Sequence, residues 1–318
     1  MRRIGLIVLV LTSALFALAA CGGDREGSNG ETTTGAAQSD LSGTVKVDGS
    51  STVGPYATAA AERFRSGNRD VRITVGVSGT GGGFERFCRG ETDISNASRP
   101  IKDEERQACK GKGIEFVELQ VANDALTVVV NKDNDWVDCL TVDQLKKIWD
   151  QGSKVKSWKD VDASWPDEQM RLYGPGTDSG TFDYFTDEIN GEEGRSRSDY
   201  SASEDDNVLV QGVSGDKGAL GYFGLSYYEQ NQEKLKALGI DGGDGCVEPT
   251  VETAQSGDYK PLSRPLFMYV KKESLAKPQV KAFLQYVLDN EQAIAESAQF
   301  VPLTDEQLQK AKSDLSAG

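Results

Sequence analysis

Short apolar runs with strand character alternate along the chain with amphipathic stretches of helical period. The apolar runs predict strands at 43–47, 71–77, 116–120, 125–131, 170–173, 219–223 and 265–270. The amphipathic stretches predict helices at 57–65, 83–89, 103–111, 142–149, 181–189, 278–288 and 305–315. Because strands that alternate with helices build βαβ units, the pattern indicates an α/β fold.

The predicted strands at 125–131 and 265–270 lie where the character of the chain changes. We interpret them as two connections between a discontinuous first domain, residues 41–130 and 262–318, and an inserted second domain, residues 131–261. Such an arrangement creates a cleft between the domains, and small ligands of open α/β proteins bind in clefts of this kind. Two independent domains lying side by side are the alternative that the pattern leaves open.

The beginning of the chain has the features of an export signal. Two arginines precede an apolar stretch at 4–20, which ends in Leu-Ala-Ala before Cys21. A retained membrane anchor is the alternative, although a spanning helix normally needs about 20 apolar residues. The Leu-Ala-Ala-Cys sequence resembles a bacterial lipobox, which implies a signal peptide at 1–21 and a lipid on Cys21. Residues 22–40 have no apolar run and are expected to form a flexible tether to the membrane.

Composition narrows the function to binding. The chain has 318 residues, of which 50 are acidic, 35 are lysine or arginine and none is histidine. The absence of histidine excludes Ser-His-Asp and Cys-His catalytic arrangements and histidine-ligated zinc. The formal charge of −15 has the wrong sign for a protein that binds the phosphate backbone of nucleic acids. We therefore expect no enzyme, no nucleic-acid partner, no cofactor and no metal.

Four cysteines remain in the body of the chain, at Cys88, Cys109, Cys139 and Cys246. An even number in an exported protein indicates disulfides, and four cysteines allow three pairings. We favour Cys88 with Cys109, which bracket one short helical segment, and Cys139 with Cys246, which both fall in the predicted second domain. A metal site is the alternative, but the chain has no Cys-x-x-Cys motif and no histidine.

Four short polar segments precede predicted helices or include their first turn, and three of them also follow predicted strands. They are Asp-Gly-Ser-Ser-Thr-Val-Gly-Pro at 48–55, Gly-Val-Ser-Gly-Thr-Gly-Gly-Gly-Phe at 76–84, Asp-Ile-Ser-Asn-Ala-Ser-Arg-Pro at 93–100 and Gly-Pro-Gly-Thr-Asp-Ser-Gly-Thr-Phe-Asp-Tyr-Phe at 174–185. Taken singly, each segment is also explained by a helix cap, a flexible turn or a surface salt bridge. Together they offer hydroxyl groups and helix N-terminal amides, the donors that a tetrahedral oxyanion requires.

With these segments the chain resembles the substrate-binding lipoproteins of bacterial phosphate ABC transporters, in the periplasmic-binding-protein superfamily. The resemblance covers residues 43–315 and includes Gln-Leu-Lys-Lys-Ile-Trp-Asp at 144–150, Ser-Trp at 157–158 and Gly-Ala-Leu-Gly-Tyr at 218–222. It implies a two-lobed type II periplasmic-binding-protein fold, with the ligand cleft between lobes that two crossover strands join. It also implies that the phosphate ligands are Ser51, Thr52, Ser78, Gly79, Thr80, Asp93, Ser179, Gly180 and Thr181.

One departure from the family pattern concerns the positive charge of the site. Many relatives carry an arginine shortly before the Ser-Gly-Thr sequence, whereas this chain has Gly-Pro-Gly-Thr at 174–177. We therefore assign the counter-charge to Arg99 and an additional hydroxyl to Ser98. Asp93 is expected to select phosphate over sulfate, because an ionised carboxylate only accepts hydrogen bonds and phosphate keeps a proton near neutral pH.

The expected protein is a monomeric extracytoplasmic receptor, anchored to the bacterial cell membrane through the lipid on Cys21. It closes on inorganic phosphate and delivers the ion to an ABC permease in the membrane. A receptor for sulfate, molybdate or tungstate is the nearest alternative. A secreted phosphatase-like enzyme and a surface adhesion or sensing lipoprotein on the same fold are the others.

Overall fold

The computed structural model describes residues 41–177 and 179–318. The predicted signal peptide at 1–21, its Cys21 and the predicted tether at 22–40 lie outside the described residues. In the part of the chain that is described, none of the helices combines the length and the apolar character needed to cross a membrane.

Strands and helices alternate along the described chain, as the sequence predicts. The strands are β1 (Gly43–Gly49), β2 (Val71–Val75), β3 (Ile94–Ala97), β4 (Phe116–Asn131), β5 (Cys139–Thr141), β6 (Arg171–Gly174), β7 (Ser201–Ala202), β8 (Ala219–Gly224), β9 (Leu235–Ala237), β10 (Gly239–Asp241), β11 (Cys246–Val247) and β12 (Ser263–Lys271). The α-helices are α1 (Gly54–Gly67), α2 (Gly79–Cys88), α3 (Asp103–Gly111), α4 (Val142–Trp149), α5 (Trp158–Val161), α6 (Gly180–Phe185), α7 (Asp206–Ser214), α8 (Leu225–Glu229), α9 (Val251–Ser256), α10 (Lys272–Leu275), α11 (Pro278–Asp289), α12 (Glu291–Ser297) and α13 (Asp305–Ala317). A π-helical turn at Thr186–Asn190 continues α6.

Among the described residues, a nine-stranded sheet has the order β2-β1-β3-β12-β4-β8-β6-β7, and β9 also pairs with β4. The strands of each flank, β2-β1-β3 and β8-β6-β7, run parallel to one another. The two strands in the middle, β12 and β4, run antiparallel to each other and to their other neighbours. The first part of β4 pairs with β12 and its last part, 126–131, pairs with β8 and β9, so β4 connects the two flanks.

The buried hydrophobic side chains form separate clusters on the two flanks of the sheet. We call the clusters built from residues 45–122 and 266–315 the first core. The clusters built from residues 126–262 are the second core. The chain crosses between the cores along β4, between residues 122 and 126, which is before the predicted boundary at 130/131. It returns just before β12, next to the predicted boundary at 261/262. The division into two mobile domains remains a prediction.

Each helix predicted from the sequence is present, and so is each predicted strand, with three differences in detail. The predicted strands at 116–120 and 125–131 are one strand, because residues 121–131 are buried without interruption and the polar Asn123 and Asp124 between them have a hydrogen-bond partner and an ion-pair partner, respectively. The strand β3 lies in a segment that was expected to be a polar turn. Finally, the predicted helix at 181–189 is divided into α6 and the π-helical turn.

Both predicted disulfide pairings are confirmed. The bond between Cys88 and Cys109 joins α2 to α3, with the two Cα atoms 4.3 Å apart. The bond between Cys139 and Cys246 joins β5 to β11, with Cα atoms 6.1 Å apart, at the edges of a small sheet of order β11-β10-β5. Each disulfide therefore stabilises elements of one core.

Candidate functional site

Three polar loops of the first core lie at one edge of the sheet. They follow the parallel strands β1, β2 and β3, whose carboxyl ends point to the same edge. A cleft of about 820 Å³ opens there, and its lining includes side chains from both cores. Its lining residues are Ser50, Ser51, Thr52, Ser78, Gly79, Thr80, Gly81, Gly82, Ser98, Arg99, Pro100, Lys102, Gly180, Asp183, Tyr184, Asp187, Glu188, Glu193, Lys260, Pro261, Ser263, Arg264 and Pro265.

The first loop joins β1 to α1 and carries the predicted ligands Ser51 and Thr52. The buried Ser50 hydroxyl accepts a hydrogen bond from the Val53 amide at 3.4 Å, whereas α1 has no side-chain cap at its first residue. The hydroxyls of Ser51 and Thr52 are therefore not used to cap the helix. The first two residues of α1 do not offer amides to a ligand, because Gly54 donates to the carbonyl oxygens of Ser50 and Ser51, at 3.0 and 3.3 Å, and Pro55 has no N–H. This loop therefore contributes the hydroxyls of Ser51 and Thr52.

The second loop is glycine-rich and opens α2. Ser78 precedes the helix without capping it, and its hydroxyl instead donates to Asp48 Oδ1 at 2.9 Å. Gly79 has φ +75°, a backbone conformation that favours glycine. Gly83 lets α2 lie directly on β1, since a Cβ there would be 2.5 Å from the Gly49 Cα. Gly83 therefore brings the backbone of α2 close to the end of β1, which the loop with Ser51 and Thr52 follows.

The third loop follows β3 and carries Ser98 and Arg99. The hydroxyls of Ser98 and Thr80 are 3.1 Å apart, and the Ser98 amide donates to Thr80 Oγ1 at 3.2 Å. Arg99 lines the cleft, but its guanidinium is bound by both carboxylate oxygens of Glu105, at 2.8 and 2.9 Å. Burial of Glu105 opposes ionisation, yet the hydrogen bonds from Arg99 and from the Lys102 amide lower the pKa of Glu105. The charge of Arg99 is thus largely shared with a carboxylate.

The fourth predicted segment comes from the second core and meets the first loop. Gly180 lines the cleft, and a Cβ added to it would lie 2.9 Å from Thr52 Oγ1 and 3.3 Å from Thr52 Cα. Ser179 caps α6 by accepting a hydrogen bond from the Thr181 amide at 3.2 Å. Ser179 and Thr181 flank Gly180, but the cleft lining within the described chain does not include them. The start of α6 therefore packs against the loop between β1 and α1.

The structure corrects the prediction for Asp93. This residue precedes β3, whereas Ser98 follows it, and a strand advances about 3.3 Å per residue, so the two lie at opposite ends. The Asp93 carboxylate accepts from the Lys46 amide at 2.9 Å, from Ser274 at 2.8 Å and from Lys277 at 2.7 Å. Burial acts in the opposite direction, but these hydrogen bonds lower the pKa of Asp93. Asp93 joins β3 to the segment that leads into α11 and does not face the cleft.

Sequence reasoning missed Arg264, at the start of β12. Its guanidinium donates to Thr52 Oγ1 at 2.9 Å and forms an ion pair with the buried Asp124 at 3.1 Å. The guanidinium carbon lies 3.5 Å from the centre of the Tyr184 ring, and Tyr184 belongs to α6. Arg264 therefore contacts the first loop, the strand β4 and a helix of the second core at once. The sequence feature that could have identified Arg264 is its position beside a proline, at the point where the chain crosses between the predicted domains.

Carboxylates form the opposite wall of the cleft. Burial is the main cause that raises the pKa of Asp183, with Glu193 adding to it and Arg264 opposing it. Burial also raises the pKa of Glu188. The described lining contains four cationic residues, Arg99, Lys102, Lys260 and Arg264, and four carboxylates, Asp183, Asp187, Glu188 and Glu193. Because these charges balance, an anion in this cleft would be held by directed hydrogen bonds rather than by an excess of positive charge.

Comparisons with known proteins identify relatives over most of the chain. Residues 34–291 match a family model described as a PBP superfamily domain. The chain is 52% identical to the protein SphX of Synechococcus elongatus over 262 residues, 81% of this chain and 77% of that one. It is 42% identical to the phosphate-binding protein PstS of Staphylococcus saprophyticus over 317 residues, 99% of this chain and 95% of the relative.

Solved structures agree with these sequence relatives. A crystal structure of a possible phosphate binding protein from Planctomyces limnophilus matches with a TM-score of 0.84 and 47% identity, covering 87% of this chain and 99% of that one. A substrate-binding protein of a putative phosphate ABC transporter from Clostridium perfringens, solved with bound phosphate, matches with a TM-score of 0.56 and 28% identity. That match covers 82% of this chain and 100% of the other.

Proposed function

We propose that this chain, which belongs to the PBP superfamily and within it to the family of the PstS and SphX proteins, is the phosphate-binding receptor of an ABC importer. It binds inorganic phosphate outside the cytoplasm and delivers the ion to a permease in the membrane. Relatives named for phosphate binding, and a neighbour solved with phosphate, support this function. The protein is a receptor and not an enzyme.

The observation that carries the proposal is the meeting of four strand-to-helix loops at one cleft. Three loops of the first core and the start of α6 bring hydroxyls and helix amides to a single small volume. A tetrahedral oxyanion accepts hydrogen bonds in several directions, and this set of donors approaches it from both cores. The ligands that we propose are Ser51, Thr52, Ser78, Gly79, Thr80, Ser98 and Gly180, with Ser179 and Thr181 contributing at the start of α6.

The positive charge next to the anion comes mainly from Arg264, with Arg99 as a second contributor. Arg264 already donates to the proposed ligand Thr52, and its side chain is only 15% exposed. The Arg99 side chain is 32% exposed and bound by Glu105 through two hydrogen bonds. Both guanidiniums have a carboxylate partner, Asp124 for Arg264 and Glu105 for Arg99, so the difference rests on the lower exposure of Arg264. A less hydrated guanidinium interacts more strongly with a ligand, and Arg264 therefore supplies the larger part of the electrostatic attraction.

Binding is coupled to closure of two lobes, residues 41–130 with 262–318 and residues 131–261. The crossings along β4 and before β12 act as the hinge between them. Phosphate stabilises the closed state because its ligands come from both lobes, and the equilibrium shifts by the free energy of those shared contacts. The contact between Gly180 and Thr52 supports this proposal, since it brings the two sets of ligands within van der Waals distance.

Calorimetric titration of the purified protein with phosphate, sulfate, molybdate and tungstate tests the function. We expect phosphate to bind much more tightly than the other three anions. If sulfate, molybdate or tungstate binds more tightly than phosphate, that anion is the substrate instead. Failure to bind any of the four would refute the receptor function and favour an adhesion or sensing role.

The location follows from the family: the protein works outside the cytoplasm, and its two disulfides suit an oxidising compartment. We propose that the signal peptide is cleaved immediately before Cys21, that Cys21 becomes the first residue of the mature protein and carries the lipid anchor, and that residues 22–40 form the tether. Mass spectrometry of the mature N-terminus and cell fractionation of a Cys21→Ala variant test this. Release of the variant from the membrane is the expected result, and equal membrane retention would refute the lipid anchor.

A further inference from the structure

A buried carboxylate controls the direction of one hydroxyl in the cleft. Asp48, near the end of β1, is 4% exposed. Its Oδ1 accepts from the Gly49 amide at 2.8 Å and from the Ser78 hydroxyl at 2.9 Å, and its Oδ2 accepts from Arg86 at 2.5 Å. Gly76 leaves the space for this carboxylate, since a Cβ there would lie 2.8 Å from the Asp48 carboxyl carbon.

The partners of Asp48 determine where the Ser78 hydrogen points. A carboxylate paired with a guanidinium has lone pairs to offer and no hydrogen to give. The Ser78 hydroxyl is therefore the donor, and its single hydrogen is used on Asp48. Since Ser78 also lines the cleft, the part of its hydroxyl that is left for a ligand consists of lone pairs. A ligand that contacts Ser78 Oγ must bring a hydrogen of its own.

The neighbouring hydroxyl pair has the opposite character. Thr80 and Ser98 share one hydrogen bond at 3.1 Å, and either oxygen can be its donor. Two hydroxyls carry two hydrogens, so one remains after their mutual bond and can be donated to an oxygen of the ligand. The cleft thus combines a donating hydroxyl pair with an accepting hydroxyl at Ser78.

We propose that Ser78, oriented by Asp48, accepts the hydrogen bond from the P–OH group of bound phosphate and thereby selects protonated oxyanions. The inference rests on the proposed phosphate-receptor function and assigns to Ser78 the role that the sequence had suggested for Asp93. Sulfate keeps no proton near neutral pH, so one of its oxygens would face the lone pairs of Ser78 without a hydrogen between them. Asp48 is the positioning residue, and Arg86 holds Asp48 from outside the cleft.

The test compares phosphate with monofluorophosphate, a tetrahedral anion in which fluorine replaces the P–OH group. At slightly alkaline pH both ions are dianions, so the difference in affinity reports on the P–OH group alone. In Ser78→Ala we expect phosphate to bind about tenfold more weakly, the loss of one hydrogen bond to a charged partner, and monofluorophosphate to bind as before or more tightly. The matched control Ser98→Ala removes a donor and should weaken both ions by the same factor.

Asp48→Ala provides a second and opposite perturbation. Without its acceptor, the Ser78 hydroxyl is free to turn its hydrogen into the cleft, so monofluorophosphate should gain affinity relative to phosphate. Removing the negative charge of Asp48 strengthens the binding of both dianions by the same factor. This effect therefore cancels in the ratio of the two affinities. If this variant does not fold, as judged by its thermal unfolding curve, the comparison of Ser78→Ala with Ser98→Ala decides the question.

The outcomes separate the inference from the function on which it rests. If the wild-type protein binds no phosphate, the receptor function fails. If the wild-type protein binds phosphate but Ser78→Ala weakens both ions equally, Ser78 is a donor and only the inference fails. Unchanged binding of both ions by Ser78→Ala would also overturn it, because Ser78 would then not contact the ligand.

Discussion

Replacement of Arg264 by lysine is the most informative change at the cleft. The substitution keeps the positive charge, so the buried Asp124 still has a cationic partner. It removes the planar guanidinium that donates to Thr52 Oγ1 at 2.9 Å and lies 3.5 Å from the centre of the Tyr184 ring. The variant therefore tests geometry rather than charge.

The expected size of the effect follows from the contacts that lysine cannot reproduce. A hydrogen bond to a charged group contributes about 1.5–3 kcal/mol, and about 1.4 kcal/mol corresponds to a factor of ten in affinity. We expect Arg264→Lys to weaken phosphate binding roughly 10- to 100-fold, as measured by calorimetry. The free energy of unfolding should fall by much less than the roughly 3–5 kcal/mol expected for a variant that leaves a buried charge unpaired, such as Arg264→Ala.

Arg99→Lys is the matched control on the other wall of the cleft. The guanidinium of Arg99 is already bound by Glu105 through two hydrogen bonds, so its replacement should change phosphate affinity less than Arg264→Lys does. Urea unfolding of both variants shows whether either change acts through stability. Wild-type affinity in Arg264→Lys together with a large loss in Arg99→Lys would refute the reasoning and restore Arg99 as the main counter-charge.

Three further predictions concern other parts of the structure. Asp93→Asn should leave the preference for phosphate over sulfate unchanged in competition titrations while lowering stability at neutral pH, and an altered anion preference would contradict this. Because folding lowers the pKa of Asp93, the loss of stability should begin to shrink as pH falls below about 4 and should disappear only below the lowered pKa of the folded state. Gly180→Ala adds a Cβ 2.9 Å from Thr52 Oγ1 and should weaken phosphate binding by about 1–3 kcal/mol in calorimetry, whereas wild-type affinity would show that the contact is not part of the bound state. Replacing Cys139 and Cys246 together by serine opens a loop with a sequence separation of 107 residues and should cost up to about 4.7 kcal/mol in urea unfolding, and an unchanged midpoint would contradict loop closure as the cause.

The balance of charges in the cleft explains how an acidic chain can hold an anion. The formal net charge of −15 is spread over the whole sequence, and exposed charges more than about 10 Å away are largely screened at ordinary salt concentrations. At the cleft, the N-terminus of α2, a hydroxyl pair and the Arg264 guanidinium provide directed donors. Affinity therefore depends on local geometry, and the overall charge does not oppose the proposed function.

The elements of the fold could largely be predicted because their signals are short-range. Periodicity alone located the helices α1 and α4, whose apolar faces are buried as expected. The predictions of secondary structure failed where polar residues are buried in the sheet, although their local sequence is typical of a turn. The polar sequence Ile-Ser-Asn-Ala of β3 forms a fully buried strand because it pairs with β1 on one side and β12 on the other. Likewise, Asn123 and Asp124 continue β4 because distant partners satisfy their polar groups.

The candidate site was predicted less completely than the fold. The loops at Ser51, Ser78 and Ser98 were recognised because hydroxyls and glycines before a helix have a local signature. Asp93 belongs to the same segment as Ser98 but lies at the other end of a strand that was not predicted. To tell that Ser98 lies at the cleft and Asp93 does not, one has to know that β3 separates them. The polar sequence around both residues does not show where the strand begins and ends.

The sequence by itself determined the α/β architecture and the loops that form the cleft, because periodicity and turn chemistry act over a few residues. It favoured one of three pairings of the cysteines, which the structure confirms. Only the tertiary structure decided which polar residues line the cleft and where their hydrogen bonds point. The Ser78 hydroxyl is turned by Asp48, 30 residues away, and Thr52 is bound by Arg264, 212 residues away. The direction of a hydrogen bond depends on partners that only folding brings together, and no local pattern records it.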